Sequence, residues 1–161
     1  MPTQGNIIVK DVILTKFNVE FLYDLLKDRS KTDNHFHLPS YKQHYDYLLS
    51  NPYLSFKIAF YKKIPLGCVF ISKDKNIGIY LSKNNIKSCI HSLKGLDLSS
   101  TMIHACLRSL DFPSFLCTIH QNNTLSNNAA NKLSNFKDIE KKYNVELREQ
   151  DKYNIYEFRR H

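Results

Sequence analysis

Nowhere does the chain run to the roughly eighteen apolar residues in a row that a membrane span requires, so no segment reads as one. Met1 to Lys10 lacks the charged-then-apolar profile of a secretory signal, and together these absences imply a cytoplasmic protein. Cys68, Cys89, Cys106 and Cys117 form no C-x-x-C pair, which weighs against a redox motif or a zinc ribbon. All but Cys89 fall in segments that read as strand or helix, as reduced and buried thiols do. His35, His37 and His44 with one Cys fit no standard zinc-ligand spacing, so no metal is expected. Internal repeats, low-complexity tracts and Gly/Ser linkers are also missing, and 161 residues are too few for two ordinary domains. Residues 1–161 therefore read as one domain. Acid is scarce in the middle: between Phe56 and Gly95 eight lysines face a single carboxylate, Asp74, within a chain of formal net charge +8. A field of that sign suits a polyanion, such as a nucleotide cofactor, a nucleotide sugar or RNA.

What is present is ample for a core. The apolar fraction of 42%, with ten Phe and ten Tyr, excludes a disordered chain. Ile7 to Leu14 reads as a strand. Asn18 then reads as a helix N-cap, with Phe17 and Leu22 as a hydrophobic staple and Phe21, Leu22, Leu25 and Leu26 as the apolar stripe. Ser40-Tyr41-Lys42-Gln43 is a capping box that opens a second helix, with Tyr41, Tyr45, Leu48 and Leu49 on one face. Leu54, Phe56, Ile58 and Phe60 alternate with Ser55, Lys57, Ala59 and Tyr61, the period of a strand. Strands Leu66 to Ile71 and Ile77 to Leu81 complete an antiparallel meander. Ser82 to Leu96 is polar and basic without a firm period.

A helix begins near Ser99 and buries Met102, Ile103, Cys106, Leu107 and Leu110; Pro113 ends that region, and Ser114 to Ile119 is a strand. A helix from Thr124 to Leu133 follows, then a hairpin of Val145 to Arg148 and Tyr153 to Phe158 turning near Gln150-Asp151. The order β-α-α-β-β-β-α-β-α-β-β, with a parallel crossover into the Ser114 strand, predicts an α/β fold. Its sheet is mixed and has helices on both faces.

Three stretches carry a resemblance: LPSYKQHYDYLLSNPY (38–53), FKIAFYKKIPLGCVFISKDKNIGIYLSKN with its x-P-x-G lead-in at Pro65 and Gly67, and CTIHQNNTLSNNAANKL after the Ser114 strand begins. In their order along nearly the whole chain they resemble the GNAT superfamily of acyl-CoA-dependent N-acyltransferases. The resemblance implies an acetyl-CoA donor, with the pantetheine arm between splayed fourth and fifth strands against Ile79, Tyr80 and Leu81. It also implies a pyrophosphate at the following helix N-terminus, an anion site by its free N–H groups and dipole. The family pattern Q/R-x-x-G-x-G/A falls on Lys94, Gly95, Leu96, Asp97, Leu98 and Ser99, with Ser100 next. Asp97 puts a carboxylate where a glycine usually meets pyrophosphate, although Asp is also an ordinary N-cap. Asn123 falls where an Asn often contacts pantetheine. The tyrosine that often protonates the departing thiolate is replaced near Ala129 and Ala130.

Acyl transfer by direct attack needs a neutral amine, a polarised carbonyl and a proton for the thiolate. His120, at the end of the fifth strand, is the candidate base. Tyr80 and Ser126 are candidate acids, and His35 and His37 candidate acceptor-binding residues in the loop after the first helix. The second-helix segment resembles enzymes of nucleotide-linked amino sugars, so a small-molecule amine acceptor is expected, and homodimers are common in the family. A cofactor-dead binding module is the alternative, motivated by Asp97 and the missing tyrosine. RNA or aminoacyl-tRNA acetylation ranks third, because the aromatics near the lysines alternate as core residues rather than as a stacking platform.

Overall fold

A computed structural model describes residues 7–108 and 112–161. The described residues form two antiparallel sheets. The first, ordered β1-β2-β3-β4, comprises β1 (Ile7–Asp11), β2 (Tyr53–Tyr61), β3 (Ile64–Ser72) and β4 (Ile77–Leu81). The second, ordered β5-β7-β6, comprises β5 (Ser114–His120), β6 (Tyr143–Gln150) and β7 (Tyr153–Arg160). Helices α1 (Lys16–Thr32) and α2 (Tyr41–Leu49) separate β1 from β2; α3 (Lys83–Ser88), α4 (Ile90–Leu93) and α5 (Leu98–Leu107) separate β4 from β5. Helices α6 (Thr124–Ser134) and α7 (Lys137–Lys142) precede the terminal hairpin, and α7 was not legible in the pattern. The expected meander is β2-β3-β4. The expected crossover leads into β5, but the parallel pairing it makes is one bridge, Asn76 to Leu116, supported by Leu116 N–H donating to Lys75 C=O at 2.9 Å.

Strand pleat divides the core into two faces. Val19, Leu22, Leu25 and Leu48 of α1 and α2 cover Ile58 and Cys68. Met102, Ile103, Cys106 and Leu133 of α5 and α6 cover Ala59, Val69, Phe115 and Phe158. Because both faces of β2 are covered, its alternation does not sort core from solvent: Ser55, Lys57 and Ala59 are buried, while Leu54 is exposed. Buried Lys57 pairs with Asp11 at 2.6 Å, which removes it from any exposed basic surface.

Local chemistry corrects several boundaries. Strand β1 stops at Asp11, short of Leu14. The α1 N-cap is Thr15, whose hydroxyl accepts from the Asn18 N–H at 3.2 Å. The Asn18 side chain instead donates to Ile13 C=O at 2.8 Å, and Phe17 is exposed, so no staple forms. The Ser40–Gln43 capping box opens α2 as expected, but that helix buries His44 and Leu48 and exposes Tyr41, Tyr45 and Leu49. Leu110 lies outside the described residues.

The end of α5 is tied to α7 by His104, whose Nε2 lies 2.7 and 2.8 Å from the two Asp138 carboxylate oxygens while its ring stacks on Phe136. Burial pushes the Asp138 carboxyl up, but the bond and charge of His104 and two backbone N–H groups outweigh it and hold the pKa below the ordinary range. A depressed folded-state pKa stabilises above the unfolded value near 4 and loses that contribution as pH falls through the folded one. Asp138→Asn is therefore expected to flatten the fall in stability below about pH 4, read from urea unfolding between pH 2 and 6.

Candidate active site

Beyond the Asn76–Leu116 bridge no ladder joins β4 to β5 among the described residues, and the strands part toward their C-terminal ends. The wedge holds a cleft of about 220 Å³. Ile77, Gly78 and Ile79 form one wall, Cys117 to His120 the other, and Ser99, Ile103, Asn123, Ser126, Ala129 and Ala130 come from α5, α6 and its cap. Five expected site residues thus meet in one place: Ile79, Ser99, His120, Asn123 and Ser126.

The others lie elsewhere. The pleat turns Tyr80 to the α1 face, where it packs with Phe70 and its hydroxyl accepts from Arg29; Tyr80 and Leu81 line a separate cavity. Tyr80 is therefore not placed to protonate a thiolate in the wedge. Lys94 is the exposed C-cap of α4. Gly95 takes φ +86° in the turn to α5, with nothing within 4 Å of an added Cβ, so it serves the turn and not a close packing contact. Gly95, Leu96 and Ser100 line a shallow surface hollow, and Leu98 packs on the core. His35 and His37 are exposed in the α1–α2 loop and line no described cavity. His44 is buried against Tyr23, away from those loop histidines in environment, and no trio of metal-ligating side chains converges among the described residues.

The α5 N-terminus, which abuts the cleft through Ser99, holds an anion of its own. Asp97 is the N-cap: its carboxylate accepts from Ser100 N–H at 3.0 Å and from the Ser100 hydroxyl at 2.9 Å, and pairs with Lys132 of α6 at 3.0 Å. Burial pushes this carboxyl up, but the Ser100 and Lys132 bonds together hold it below the ordinary carboxylate range, so it is ionised at neutral pH.

Asn123 caps α6 through Ser126 N–H at 3.1 Å. The His120 Nδ1 accepts from Asn122 N–H at 3.2 Å, which places the proton of the neutral ring on Nε2. A base role would require that bond to break; a donor role uses the ring as it stands. Cys117 is no alternative nucleophile, because burial pushes its thiol to about 12.

Nothing in the Asn-rich run sets Asn127 apart, yet it fastens the site. Its Nδ2 donates to His120 C=O and Asn123 C=O at 3.1 and 2.9 Å; its Oδ1 accepts from Asn154 and the Tyr156 hydroxyl at 3.0 and 2.9 Å. Asn127→Leu would strand the buried Tyr156 hydroxyl and release the end of β5. We expect it to cost about 2–4 kcal/mol in chemical denaturation; a loss under about 1 kcal/mol would deny Asn127 this role.

The wedge between β4 and β5, the antiparallel meander before it and the helix on either side define the fold of the GNAT acetyltransferases. Three solved structures show the likeness. A RimL ribosomal L7/L12 α-N-protein acetyltransferase with coenzyme A superposes at TM-score 0.63 and 15% identity, over 96% of this chain and 93% of that one. A GNAT-family acetyltransferase from Streptococcus agalactiae gives 0.60 and 12% over 96% of each chain. The microcin C7 self-immunity acetyltransferase MccE, with acetyl-CoA and AMP, gives 0.59 and 15% over 92% and 91%. No family model and no curated sequence matches the chain.

Proposed function

We propose that the chain is an acetyl-CoA-dependent N-acetyltransferase that acts on the primary amine of a small molecule, by direct attack in a ternary complex. The observation that carries this reading is the open β4/β5 wedge, apolar within and bounded by Ser99 and Asn123 at helix N-termini. Its apolar walls suit a pantetheine arm, and the acyl-CoA would supply the activated acyl group. The fold shared with RimL and MccE, crystallised with coenzyme A and acetyl-CoA respectively, supports it. A nucleotide-linked amino sugar is the acceptor that the second-helix resemblance favours.

In this scheme unpaired backbone groups of β4 hold the pantetheine amides. The His120 Nε2–H donates to the charge that develops on the thioester, and the Ser126 hydroxyl in the same cleft is the second donor. With purified protein, acetyl-CoA and a panel of primary amines, free thiol should appear with at least one acceptor. His120→Gln should lower kcat by about 10²-fold with binding of acetyl-CoA unchanged. An unaffected kcat would remove His120 from the chemistry, and no thiol release across the panel would count against the activity.

A binding module without catalysis is the second reading, favoured by the Asp97 carboxylate on the α5 N-terminus. It predicts that coenzyme A does not stabilise the protein.

A further inference from the structure

On the face of β4 opposite the wedge, a second cavity of about 390 Å³ opens between α1 and the start of α3. Its lining carries three cations, Arg29, Lys31 and Lys83, and one carboxylate, Asp28. Arg29 is held rather than free-swinging. Its guanidinium lies 4.4 Å from the Phe36 ring centre and 5.4 Å from that of Tyr80, and its Nη1 donates to the Tyr80 hydroxyl. Two aromatic contacts and one hydrogen bond fix the plane of the fork. The nearest carboxylate, Asp33, stands 3.7 Å from Nη2, beyond hydrogen-bond distance and more than a third exposed, so it engages the charge weakly. A guanidinium has five N–H donors, and the described contacts leave most of them for a ligand.

Position gives this cavity a use. Tyr80 and Leu81 line it, while Ile79, one residue back on the same strand, lines the wedge. Ile79 packs on the α5 side of β4 and Tyr80 on the α1 side, so the two cavities flank the same strand end from opposite faces. An acceptor seated beside Arg29 would approach a thioester in the wedge from the face the cofactor does not occupy.

Resting on the acetyltransferase reading, we propose that this cavity is the acceptor site and that it selects amines bearing an anionic group, a phosphate or a carboxylate. That group would be taken by the Arg29 fork with Lys83 beside it. Asp28 is the counterweight within the lining, drawn toward Lys31 at 3.7 Å, and with Asp33 beside Arg29 three cations against two carboxylates still leave the field positive. The step itself balances simply: the neutral amine nitrogen bonds to the acetyl carbon, the C–S bond breaks, and the ammonium proton leaves as the thiolate takes one up.

The test pairs amines that differ in the anion. Ethanolamine, O-phosphoethanolamine and β-alanine are compared as acceptors, and each is also titrated against thermal stability without acetyl-CoA. Wild type, Arg29→Gln, Arg29→Lys and Lys83→Gln are used. The proposal expects O-phosphoethanolamine or β-alanine to exceed ethanolamine in kcat/KM by roughly tenfold or more, as a charge-assisted bidentate bond should. It expects that preference to collapse in Arg29→Gln, to return only in part in Arg29→Lys, and to weaken in Lys83→Gln. Equal use of neutral and anionic amines overturns the proposal and leaves the acetyltransferase reading standing. If no amine reacts, stabilisation by O-phosphoethanolamine that Arg29→Gln abolishes still supports the anion site while the activity fails. Absence of both preference and stabilisation overturns it.

Discussion

Gly67→Ala is expected to destabilise the fold by about 3 kcal/mol and to lower affinity for acetyl-CoA in whatever fraction stays folded. Gly67 pairs with Leu81 at the end of β4. A Cβ built there overlaps the Tyr80 carbonyl oxygen and comes within 3.1 Å of the Leu81 Cα. Both obstacles are backbone, which no rotamer change can move, so β4 itself must shift. That strand end forms the wall between the wedge and the Arg29 cavity, and its displacement disturbs both. Gly95→Ala is the control. There a Cβ meets nothing, and only the left-handed φ opposes it, at about 1 kcal/mol. Equilibrium urea unfolding separates the two variants. A Gly67→Ala protein within 1 kcal/mol of wild type would show that β4 has more room than its contacts indicate.

Asp97→Asn is expected to raise the affinity for acetyl-CoA about tenfold, an effect of about 1.4 kcal/mol. Two charges 4 Å apart near a protein surface interact by roughly 4 kcal/mol. Lys132 at 3.0 Å cancels much of the Asp97 charge, so only part of that repulsion would face a pyrophosphate. Asn keeps the cap, since it rivals Asp at that position, and the exposed ion pair it forfeits is worth under about 1 kcal/mol. Stability should therefore barely change while affinity rises. Lys132→Gln makes the opposite prediction: with the cation gone and Asp97 unopposed, affinity falls. Calorimetric titration of acetyl-CoA reads both. Equal affinities in all three proteins would mean that no phosphate approaches the α5 N-terminus.

Legibility followed the range of the interactions involved. The Ser40–Gln43 box and the Asp97 cap are local, spanning three residues, and both were readable. At α1 the pattern pointed to Asn18, but Thr15 is the cap, and the Asn18 side chain reaches back to Ile13 instead. The alternation in β2 marked a strand correctly but not its exposure, because helices cover both sides and period two has meaning only when one face is wet. The open wedge was foreseen only through resemblance, since strand order carries no information on where a ladder stops. Ile79 and Tyr80 are neighbours in sequence, but the pleat sends them to opposite faces. Asn127 is indistinguishable from Asn122, Asn123 and Asn128 until β7 brings Asn154 and Tyr156 to it. Arg29 was hidden for the same reason: its partners Phe36 and Tyr80 belong to a loop and to a strand 51 residues away.

The central claim is that the β4/β5 wedge receives an acyl-CoA, and thermal unfolding with acetyl-CoA, with dephospho-coenzyme A alongside, tests it most directly. At a hundred times the dissociation constant a ligand adds about 2.7 kcal/mol, which for a chain of this size raises Tm by roughly 5–10 °C. The account predicts such a rise with acetyl-CoA, and a rise also with dephospho-coenzyme A because the wedge holds the pantetheine arm that both share. An unmoved Tm at millimolar acetyl-CoA would contradict it and leave the binding-module reading in its place.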